Sequence, residues 1–383
     1  MDFKKLFELI ESKNEEYIGF LKDITEIESP TAYKEGVDAV GNYFIGKAKE
    51  QGWKTEVFKQ EVSGDVVVIT MNPEATKEPI CLSGHMDTVH PLGYFGNPCV
   101  RFEGNKMIGP GIADCKGGCV NGFWAMDVLS QMGYKERPVM LLLQSDEETS
   151  SRGSKKQTIN YIVERSKDAV AFLNLEACVT EKGITMERRG IACFEFKVKG
   201  ISEHASKAHL GASAIEEAAS KILKFKKYKD VNGITCNCGT IKGGTVPNTV
   251  ADECIFTVDT RFRTAEQYEQ VKEIVREAAE SCLVDGTSCE VRELSTRPSM
   301  ERSDKSNKLL CKANEIFEEA GLKQLEVINS TGGSDAAYVS MAGIPVLDSI
   351  GIVGDKIHNP EEHILIDKFS LATKRIAAII SCL

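Results

Sequence analysis

The sequence predicts an α/β protein: a mostly parallel sheet with helices on both faces, interrupted by an inserted domain of another kind. Short apolar runs alternate with segments of helical periodicity, which is typical of a parallel sheet with crossover helices. Between about residues 183 and 295 the strands instead alternate apolar and polar residues, as half-exposed antiparallel strands do. Alternation of the first kind resumes after residue 300.

Four apolar runs of the first part are predicted to be buried strands of the main sheet. They are DVVVIT (65–70), PICLSG (79–84), RPVMLLLQS (137–145) and AVAFLNLEA (169–177). Apolar residues at helical spacing predict a helix over 116–133. After residue 300 the same reasoning predicts helix 305–320, strand LEVIN, helix 335–342, strand IPVLD and a final helix 367–382.

The middle segment reads in order as β-α-β-β-α-β, the pattern of a ferredoxin-like unit. Its strands are IACFEFKVKG, ITCNCGTIKGG, ECIFTVDTRF and SCEVREL, and its helices lie near 212–227 and 264–282. We therefore predict a first sheet segment at 1–182, an inserted domain at 183–295 and a second sheet segment at 296–383.

The bulk composition excludes some classes of partner. The chain has 383 residues and a formal net charge of -10 at pH 7, without a block of Lys and Arg. This argues against nucleic acid as a partner. The sequence contains no run of about 18 apolar residues, and its amphipathic N-terminus is unlike a signal peptide. The thirteen cysteines are odd in number and lie mostly in apolar stretches. We expect a cytoplasmic protein with reduced thiols and no membrane partner.

Ionisable residues follow several of the predicted strands and point to a metal site. Functional groups gather outside the carboxyl ends of parallel strands. Packed together without a cation, carboxylates repel one another and take up protons, whereas two divalent ions make the same crowding favourable. The residues concerned are His85, Asp87, Asp114, Glu147, Glu148, Glu176 and His358.

Each of these motifs is weak when taken alone. His85 and Asp87 leave the same face of an extended segment, which suits a ligating imidazole and a carboxylate that orients it. An isolated H-x-D is more often a solvated loop. Asp114 lies in a Gly-rich turn before a helix, where it could equally be an N-cap. Glu147 and Glu148 point in opposite directions if extended, so we expect them to have different roles.

Taken together, eight motifs that occur in order along nearly the whole chain are far more specific than any one of them. The chain resembles the zinc-dependent aminoacylase/carboxypeptidase family of metallopeptidases, which includes glutamate carboxypeptidase, acetylornithine deacetylase and succinyl-diaminopimelate desuccinylase. The motifs are SGHMDTV, GPGIADCKGG, QSDEETSS, LNLEA, ISEHAS, KGGTVPNTV, TGGSDAA and IHNPEEH.

The resemblance implies a role for each residue of the metal set. It implies two divalent ions, zinc first, with cobalt or manganese able to substitute. Asp114 resembles the carboxylate shared by both ions, and it should be followed by a cis peptide bond to Cys115. Glu147 resembles the general base of amide hydrolysis, and Asp87 the carboxylate that orients His85. The implied ligands are His85 and Glu176 for one ion, and Glu148 and His358 for the other.

The resemblance also implies substrate contacts in the inserted domain, which would serve as a lid and dimerisation domain. His204 matches a histidine that the partner subunit of a homodimer supplies to stabilise the oxyanion. Asn248 and Arg261 match an asparagine that contacts substrate and an arginine that holds its carboxylate. Gly333 and Ser334 could offer backbone N–H groups to the substrate, but a plain turn before a helix explains them equally well.

Two departures from the family pattern concern the substrate-binding rim. Glu203 precedes His204 where relatives often carry a small residue, and Pro247 stands before Asn248, whereas many relatives place a proline after it. Glutamate rather than aspartate at 176 favours the carboxypeptidase, deacylase and desuccinylase branches. The remaining histidines, His90, His209 and His363, are expected at the surface or behind the ligands.

We therefore predict a dinuclear-metal hydrolase that cleaves an amide bond in a small N-acyl amino acid or peptide with a free carboxylate. An aminopeptidase or dipeptidase on the same site is one alternative. A non-catalytic metal-dependent binding protein is another, but such a protein would not need Glu147 beside a ligand. A nucleotide enzyme is disfavoured because G-x-G-x-x-G and the P-loop spacing are both absent.

Overall fold

The fold is described from a computed structural model that covers residues 1–330 and 332–383. The chain divides into two compact units. The first unit comprises Met1–Met186, Arg302–Asn329 and Tyr338–Leu383, and the second comprises Glu187–Glu301 and Ser330–Ala337.

The helices lie close to the predicted positions, and each predicted helix is present. They are α1 (Phe3–Ser12), α2 (Asn14–Glu26), α3 (Lys34–Glu50), α4 (Gly117–Gln131), α5 (Gln157–Ser166), α6 (Ala214–Phe225), α7 (Ala265–Glu280), α8 (Asp304–Glu319), α9 (Ala336–Met341) and α10 (Phe369–Cys382).

In the described part of the chain, the strands form three sheets. In chain order they are β1 (Lys54–Phe58), β2 (Val66–Met71), β3 (Ile80–His85), β4 (Arg101–Glu103), β5 (Lys106–Ile108), β6 (Val139–Gln144), β7 (Ala171–Asn174), β8 (Gly183–Thr185), β9 (Gly190–Lys199), β10 (Lys229–Val231), β11 (Ile234–Gly243), β12 (Glu253–Phe262), β13 (Ser288–Arg297), β14 (Glu326–Ile328), β15 (Val346–Asp348), β16 (Gly354–Asp355) and β17 (His363–Leu365).

The main sheet of the first unit has eight strands in the order β1-β2-β6-β3-β7-β15-β8-β14. The pairs β6–β3, β3–β7, β7–β15 and β8–β14 are parallel. Every residue of β2, β3, β6 and β7 is buried, so both faces of these strands are covered. Continuous apolar runs are expected for such strands. The predicted mostly parallel α/β sheet is confirmed.

Helix α4 packs directly on the sheet and is buried over nearly its whole length. Glycine permits this close approach, because a Cβ at Gly118 would stand 1.9 Å from the carbonyl oxygen of Leu175. On its other side the ring of Trp124 stacks on Tyr17 of α2, with centroids 4.7 Å apart. The start of α4 is thereby fixed beside the end of the central strands.

A small second sheet in the first unit has the order β16-β17-β5-β4. Its antiparallel register places His363 opposite Ile108 and Ile364 opposite Met107. The loop that follows β5 therefore runs beside the loop that precedes β17. These two loops carry Asp114 and His358.

The second unit is an antiparallel sheet in the order β10-β11-β12-β9-β13, with α6 and α7 packed on it. Its core includes Phe196 and Phe256, whose rings stack 4.7 Å apart. The predicted β-α-β-β-α-β order is present, with the short strand β10 added. The domain boundaries at 183 and 295 stay predictions; the short strand at Gly183–Thr185 belongs to the main sheet, because it pairs there with β14.

Among the described residues, no helix combines the length and the apolar character that crossing a bilayer requires.

A buried lysine with an acidic partner on α6 links this helix to the end of α7. Lys221 and Glu217 on α6 are each 1% exposed, and their charged atoms lie 2.9 Å apart. The Lys221 ammonium donates to the carbonyls of Ala278 and Ala279 at 3.1 and 3.0 Å, near the end of α7. This amine therefore satisfies carbonyls that the helix end leaves without an intrahelical partner.

Replacing Lys221 with Met should destabilise the protein by about 3–5 kcal/mol, because it leaves Glu217 as a buried charge without its cation. Urea unfolding followed by circular dichroism measures this loss. Lys224→Met on the exposed side of the same helix is the matched control and should change the free energy of unfolding by less than about 0.5 kcal/mol. Equal stability of the two variants would contradict the role of the pair.

Candidate metal centre

The parallel strands of the main sheet bring the ionisable side chains together. β3 lies between β6 and β7 and runs parallel to both. His85 is the last residue of β3, Glu147 and Glu148 follow β6, and Glu176 follows β7. Because the three strands end at the same edge, their following residues lie close together.

The first group of possible metal ligands consists of His85, Asp114 and Glu176, whose ligand atoms lie within 4.8 Å of one another. The Nε2 atom of His85 is 3.0 Å from Oδ1 of Asp114 and 3.8 Å from Oε1 of Glu176. His85 is buried, so this group lies within the protein and not on its surface.

The second group consists of Asp114, Glu148 and His358, within the same 4.8 Å limit. The Nε2 atom of His358 is 3.2 Å from Oδ2 of Asp114 and 3.3 Å from Oε2 of Glu148. Asp114 thus directs one oxygen toward each group. A carboxylate that faces two groups in this way can be shared by two cations.

Asp114 lies in an irregular turn, Ile112–Lys116, that leads into α4. The bond between Asp114 and Cys115 is cis, as predicted from the resemblance. Gly111 before the turn has φ of 67°, a conformation that glycine adopts without a steric penalty. The Gly-rich motif therefore builds the turn that presents this carboxylate.

Asp87 has a wider role than orienting His85. Its carboxylate accepts hydrogen bonds from the hydroxyl of Thr31 at 2.7 Å and from the backbone N–H groups of Glu147 and Glu148, both at 3.2 Å. The Nδ1 atom of His85 lies 3.0 Å from the Asp87 carbonyl and 3.4 Å from its carboxylate. Asp87 therefore fixes both the imidazole and the turn that carries the two glutamates.

Burial and hydrogen bonding shift the pKa values of three residues in the two groups. Burial acts to lower the pKa of His85, but its hydrogen bonds to Asp114 and Asp87 outweigh burial and hold that pKa well above the usual value. Hydrogen bonds to Asp114 and Glu148 raise the pKa of His358 to about 10. Burial is the main cause that raises the pKa of Glu148 to about 8.

The two groups combine imidazole nitrogens and carboxylate oxygens around Asp114. The donor set fits divalent metal ions, because imidazole nitrogen and carboxylate oxygen are ligands of catalytic zinc and of related metals. The set also contains three carboxylates, those of Asp114, Glu148 and Glu176. When both imidazoles are neutral, the negative charge of these carboxylates suits two divalent ions.

His204 and Asn248 lie on neighbouring segments of the second unit. The Asn248 carbonyl accepts from the backbone N–H of Ala205 at 2.9 Å, and His204 pairs with Thr249. His204 is exposed, and its Nδ1 accepts from the backbone N–H of Ser206 at 3.2 Å. Because Nδ1 acts as an acceptor, Nε2 is the atom of this ring that can donate a hydrogen bond.

Arg261 is held by an acidic neighbour on the same strand. Its Nε and Nη2 atoms donate to the carboxylate of Asp259 at 2.8 and 3.2 Å. This bidentate contact fixes the plane of the guanidinium and offsets part of its charge. Sequence reasoning did not identify Asp259 as its partner.

Gly333 and Ser334 belong to the second unit and have local structural roles. Arg188 Nη1 donates to the carbonyls of Gly332 and Gly333 at 3.5 and 3.3 Å. The buried Ser334 hydroxyl accepts from the N–H of Ala336 at 3.2 Å, at the start of α9. These contacts are those of a turn before a helix, while the substrate-binding role stays a prediction.

Two further residues at the centre were not singled out by sequence reasoning, which expected His90 only at the surface or behind the ligands. Glu362 and His90 are buried, and the Nε2 atom of His90 lies 2.9 Å from Oε2 of Glu362. Glu362 also accepts the backbone N–H of Asp114 at 3.1 Å. The spacing of four residues from His358 to Glu362 in IHNPEEH is the only pattern that could have drawn attention to it.

The fold and the two groups around a shared aspartate define the class of protein as a metallohydrolase. The chain belongs to the peptidase family M20/M25/M40, whose family model matches residues 81–381. This agrees with the resemblance predicted from the eight motifs.

Individual relatives and solved structures agree with this assignment. Carboxypeptidase G2 of Pseudomonas sp. strain RS-16 is 28% identical over 360 residues, which cover 92% of this chain and 86% of the relative. The aminopeptidase PepT of Bacillus cereus has a TM-score of 0.79 at 22% identity, covering 96% of this chain and 98% of its own. A metallo-carboxypeptidase of Sulfolobus solfataricus has a TM-score of 0.75 at 18% identity, covering 96% and 99%. The two structural likenesses establish the fold alone.

Replacing Asp114 with Ala should weaken metal binding at both groups, because each loses an oxygen of the shared carboxylate. We expect the wild-type chain, stripped with a chelator, to take up two zinc ions in a calorimetric titration. The affinity of Asp114→Ala for both should fall by more than about 100-fold. Asp355→Ala, an exposed aspartate near His358, should titrate like the wild type. A variant that still bound two ions tightly would show that Asp114 is not shared.

Proposed function

We propose that this protein is a dinuclear-metal hydrolase that cleaves an amide bond in a small N-acyl amino acid or peptide with a free carboxylate. The observation that carries the proposal is Asp114, whose two oxygens face two ligand groups, with Glu147 on the turn that holds one of the ligands. A hydrolase needs such a base next to its metal ligands.

The proposed ligands of one ion are His85, Asp114 and Glu176, and those of the other are Asp114, Glu148 and His358. Zinc is the metal we propose, and cobalt or manganese could replace it because sites rich in carboxylate select poorly among these ions. When bound, the ions would supply Lewis-acid polarisation of the scissile carbonyl and lower the pKa of the attacking water.

Glu147 is the proposed general base. It is 6% exposed, and the hydrogen bond from its backbone N–H to Asp87 fixes the start of its turn. A carboxylate in this position can accept a proton from the attacking water and pass it to the leaving amine. His204 would donate Nε2–H to the developing oxyanion, which its tautomer allows.

A free carboxylate on the substrate is the proposed recognition element. Arg261 would hold it, with its guanidinium plane oriented by Asp259, and Asn248 and the backbone of Gly333 and Ser334 would add contacts. The relationship to carboxypeptidase G2 supports recognition of a carboxyl end. An aminopeptidase or dipeptidase on the same site is the alternative, and a non-catalytic binding protein is disfavoured by Glu147.

A substrate panel tests the proposal directly. Metal-free protein is given zinc, cobalt or manganese and incubated with N-acetyl and N-succinyl amino acids, free and blocked dipeptides and a folate-like glutamate conjugate. We expect metal-dependent hydrolysis of members with a free carboxylate, lost when that carboxylate is amidated. Hydrolysis that requires a free amine instead would select the aminopeptidase alternative. Two bound ions without hydrolysis would argue for a binding protein.

Glu147→Gln should bind two ions like the wild type but lose turnover, because the amide cannot accept the proton. We expect kcat to fall by about 10²–10⁴-fold with little change in KM. Initial rates and metal content by mass spectrometry measure the two effects. Glu164→Gln, an exposed glutamate on α5, is the control. Near-normal turnover in Glu147→Gln would show that Glu147 is not the general base.

We also propose a homodimer formed through the second unit. Beyond its short pairing with β10, the outer edge of β11 carries no further strand among residues 1–330 and 332–383. Open strand edges are templates for another chain. A groove of about 620 Å³ next to this edge is lined by Ala205, Ile215, Gly243 and Val246, among others. Ile241 and Val246, each 52% exposed, add exposed apolar area to this surface. The proposed location of the dimer is cytoplasmic.

Mixing two inactive variants tests whether His204 acts across this dimer. Glu147→Ala and His204→Ala should each be inactive alone. After co-refolding, a mixed dimer holds one site with both residues intact, so activity should return to about a quarter of the wild-type value. Sedimentation analysis of each sample checks that dimers are present. Mixed dimers without recovered activity would place His204 in its own subunit's site or outside the reaction.

A further inference from the structure

Glu362 is a buried carboxylate, 1% exposed, that the proposed reaction does not use. Its Oε1 atom accepts the backbone N–H groups of Ala113 and Asp114 at 2.9 and 3.1 Å. Its Oε2 atom lies 2.9 Å from Nε2 of His90. Its backbone carbonyl accepts from the N–H of Gly109 at 3.2 Å. One residue thus contacts two other loops through both its side chain and its backbone.

The loops that meet at Glu362 are those that carry three of the proposed ligands. His90 lies in the loop that leaves β3, five residues after His85. The side chain of Asp114 contacts His85, and its backbone N–H donates a hydrogen bond to Glu362. Glu362 itself follows His358 by four residues. The loops that carry His85, Asp114 and His358 are therefore linked through a single carboxylate, that of Glu362.

The neighbouring structure holds this arrangement in a fixed register. Strand β17 begins directly after Glu362, and its first residue, His363, pairs with Ile108 at the end of β5. The ring of His90 packs against Tyr94 and Phe95, with centroid distances of 5.8 and 4.9 Å. A buried carboxylate is tolerated when donors surround it, so its removal leaves those donors without a partner.

We propose that Glu362 is the positioning residue of the metal centre. It sets the backbone at Asp114 and holds the loops of His85 and His358 in the arrangement in which both ligand groups form together. His90 extends this link to the loop of His85. The proposal rests on the proposed metal ligands, but not on which substrate is cleaved.

Three variants and a control separate positioning from simple stability. Glu362→Ala removes every side-chain acceptor. Glu362→Gln is the conservative variant, because its oxygen can still accept from the backbone and its amide can donate to the other tautomer of His90. His90→Ala cuts only the link to the loop of His85. Glu361→Gln, an exposed neighbour, is the matched control.

The main readouts are calorimetric titration of the metal-free protein with zinc chloride and the visible absorption spectrum of the cobalt-loaded protein, both independent of any substrate. We expect zinc affinity to fall by about 10–100-fold in Glu362→Ala, with an altered cobalt spectrum. Glu362→Gln should lie between it and the wild type. His90→Ala should weaken one of the two ions more than the other. Glu361→Gln should behave as the wild type.

Circular dichroism shows whether each variant is folded. If Glu362→Ala is unfolded, the metal-binding measurements on Glu362→Gln serve as the test. Folded Glu362 variants with wild-type zinc affinity and cobalt spectrum would overturn the positioning role, while the hydrolase proposal would stand. Weakened metal binding in these variants, together with a wild type that hydrolyses no panel member, would support positioning and overturn the proposed hydrolysis.

Discussion

The crowding of carboxylates and imidazoles around Asp114 is the constraint on which the rest of the structure depends. Three carboxylates and two imidazoles form two groups whose ligand atoms lie within 4.8 Å of one another, partly inside the protein. Hydrogen bonds to the carboxylates hold the pKa values of His85 and His358 above their usual range. Such a cluster forms in a folded protein only where the backbone is rigid enough to hold it against repulsion.

Three features of the fold supply that rigidity. The parallel strands β3, β6 and β7 end side by side, so His85, Glu148 and Glu176 start from neighbouring positions. Helix α4 packs closely on these strands and fixes the turn of Asp114. The small sheet pairs β5 with β17 and brings the loop of His358 beside that turn. Each of these five side chains is thus positioned by a different element of regular structure.

Two further buried carboxylates, Asp87 and Glu362, bind the backbone of loops that carry residues of the two groups. Asp87 accepts the backbone N–H groups of Glu147 and Glu148, and Glu362 accepts those of Ala113 and Asp114. In both cases a negative side chain is satisfied by N–H donors of a loop that carries a ligand. These charge-assisted hydrogen bonds are stronger than hydrogen bonds between neutral groups and help to hold the backbone of both loops.

The sequence by itself determined the α/β sheet, the antiparallel insertion and the family, because apolar periodicity and local motifs are written in consecutive residues. It also placed His85, Glu148 and Glu176 at strand ends and Asp114 and His358 in neighbouring motifs, and the structure brings these five residues together. Only the tertiary structure decided what holds them. His90 and Glu362 are 272 residues apart, and the fold alone makes them neighbours. The same holds for Thr31 and Asp87, 56 residues apart. No local pattern reports such contacts, because they depend on which strands become neighbours when the sheets assemble.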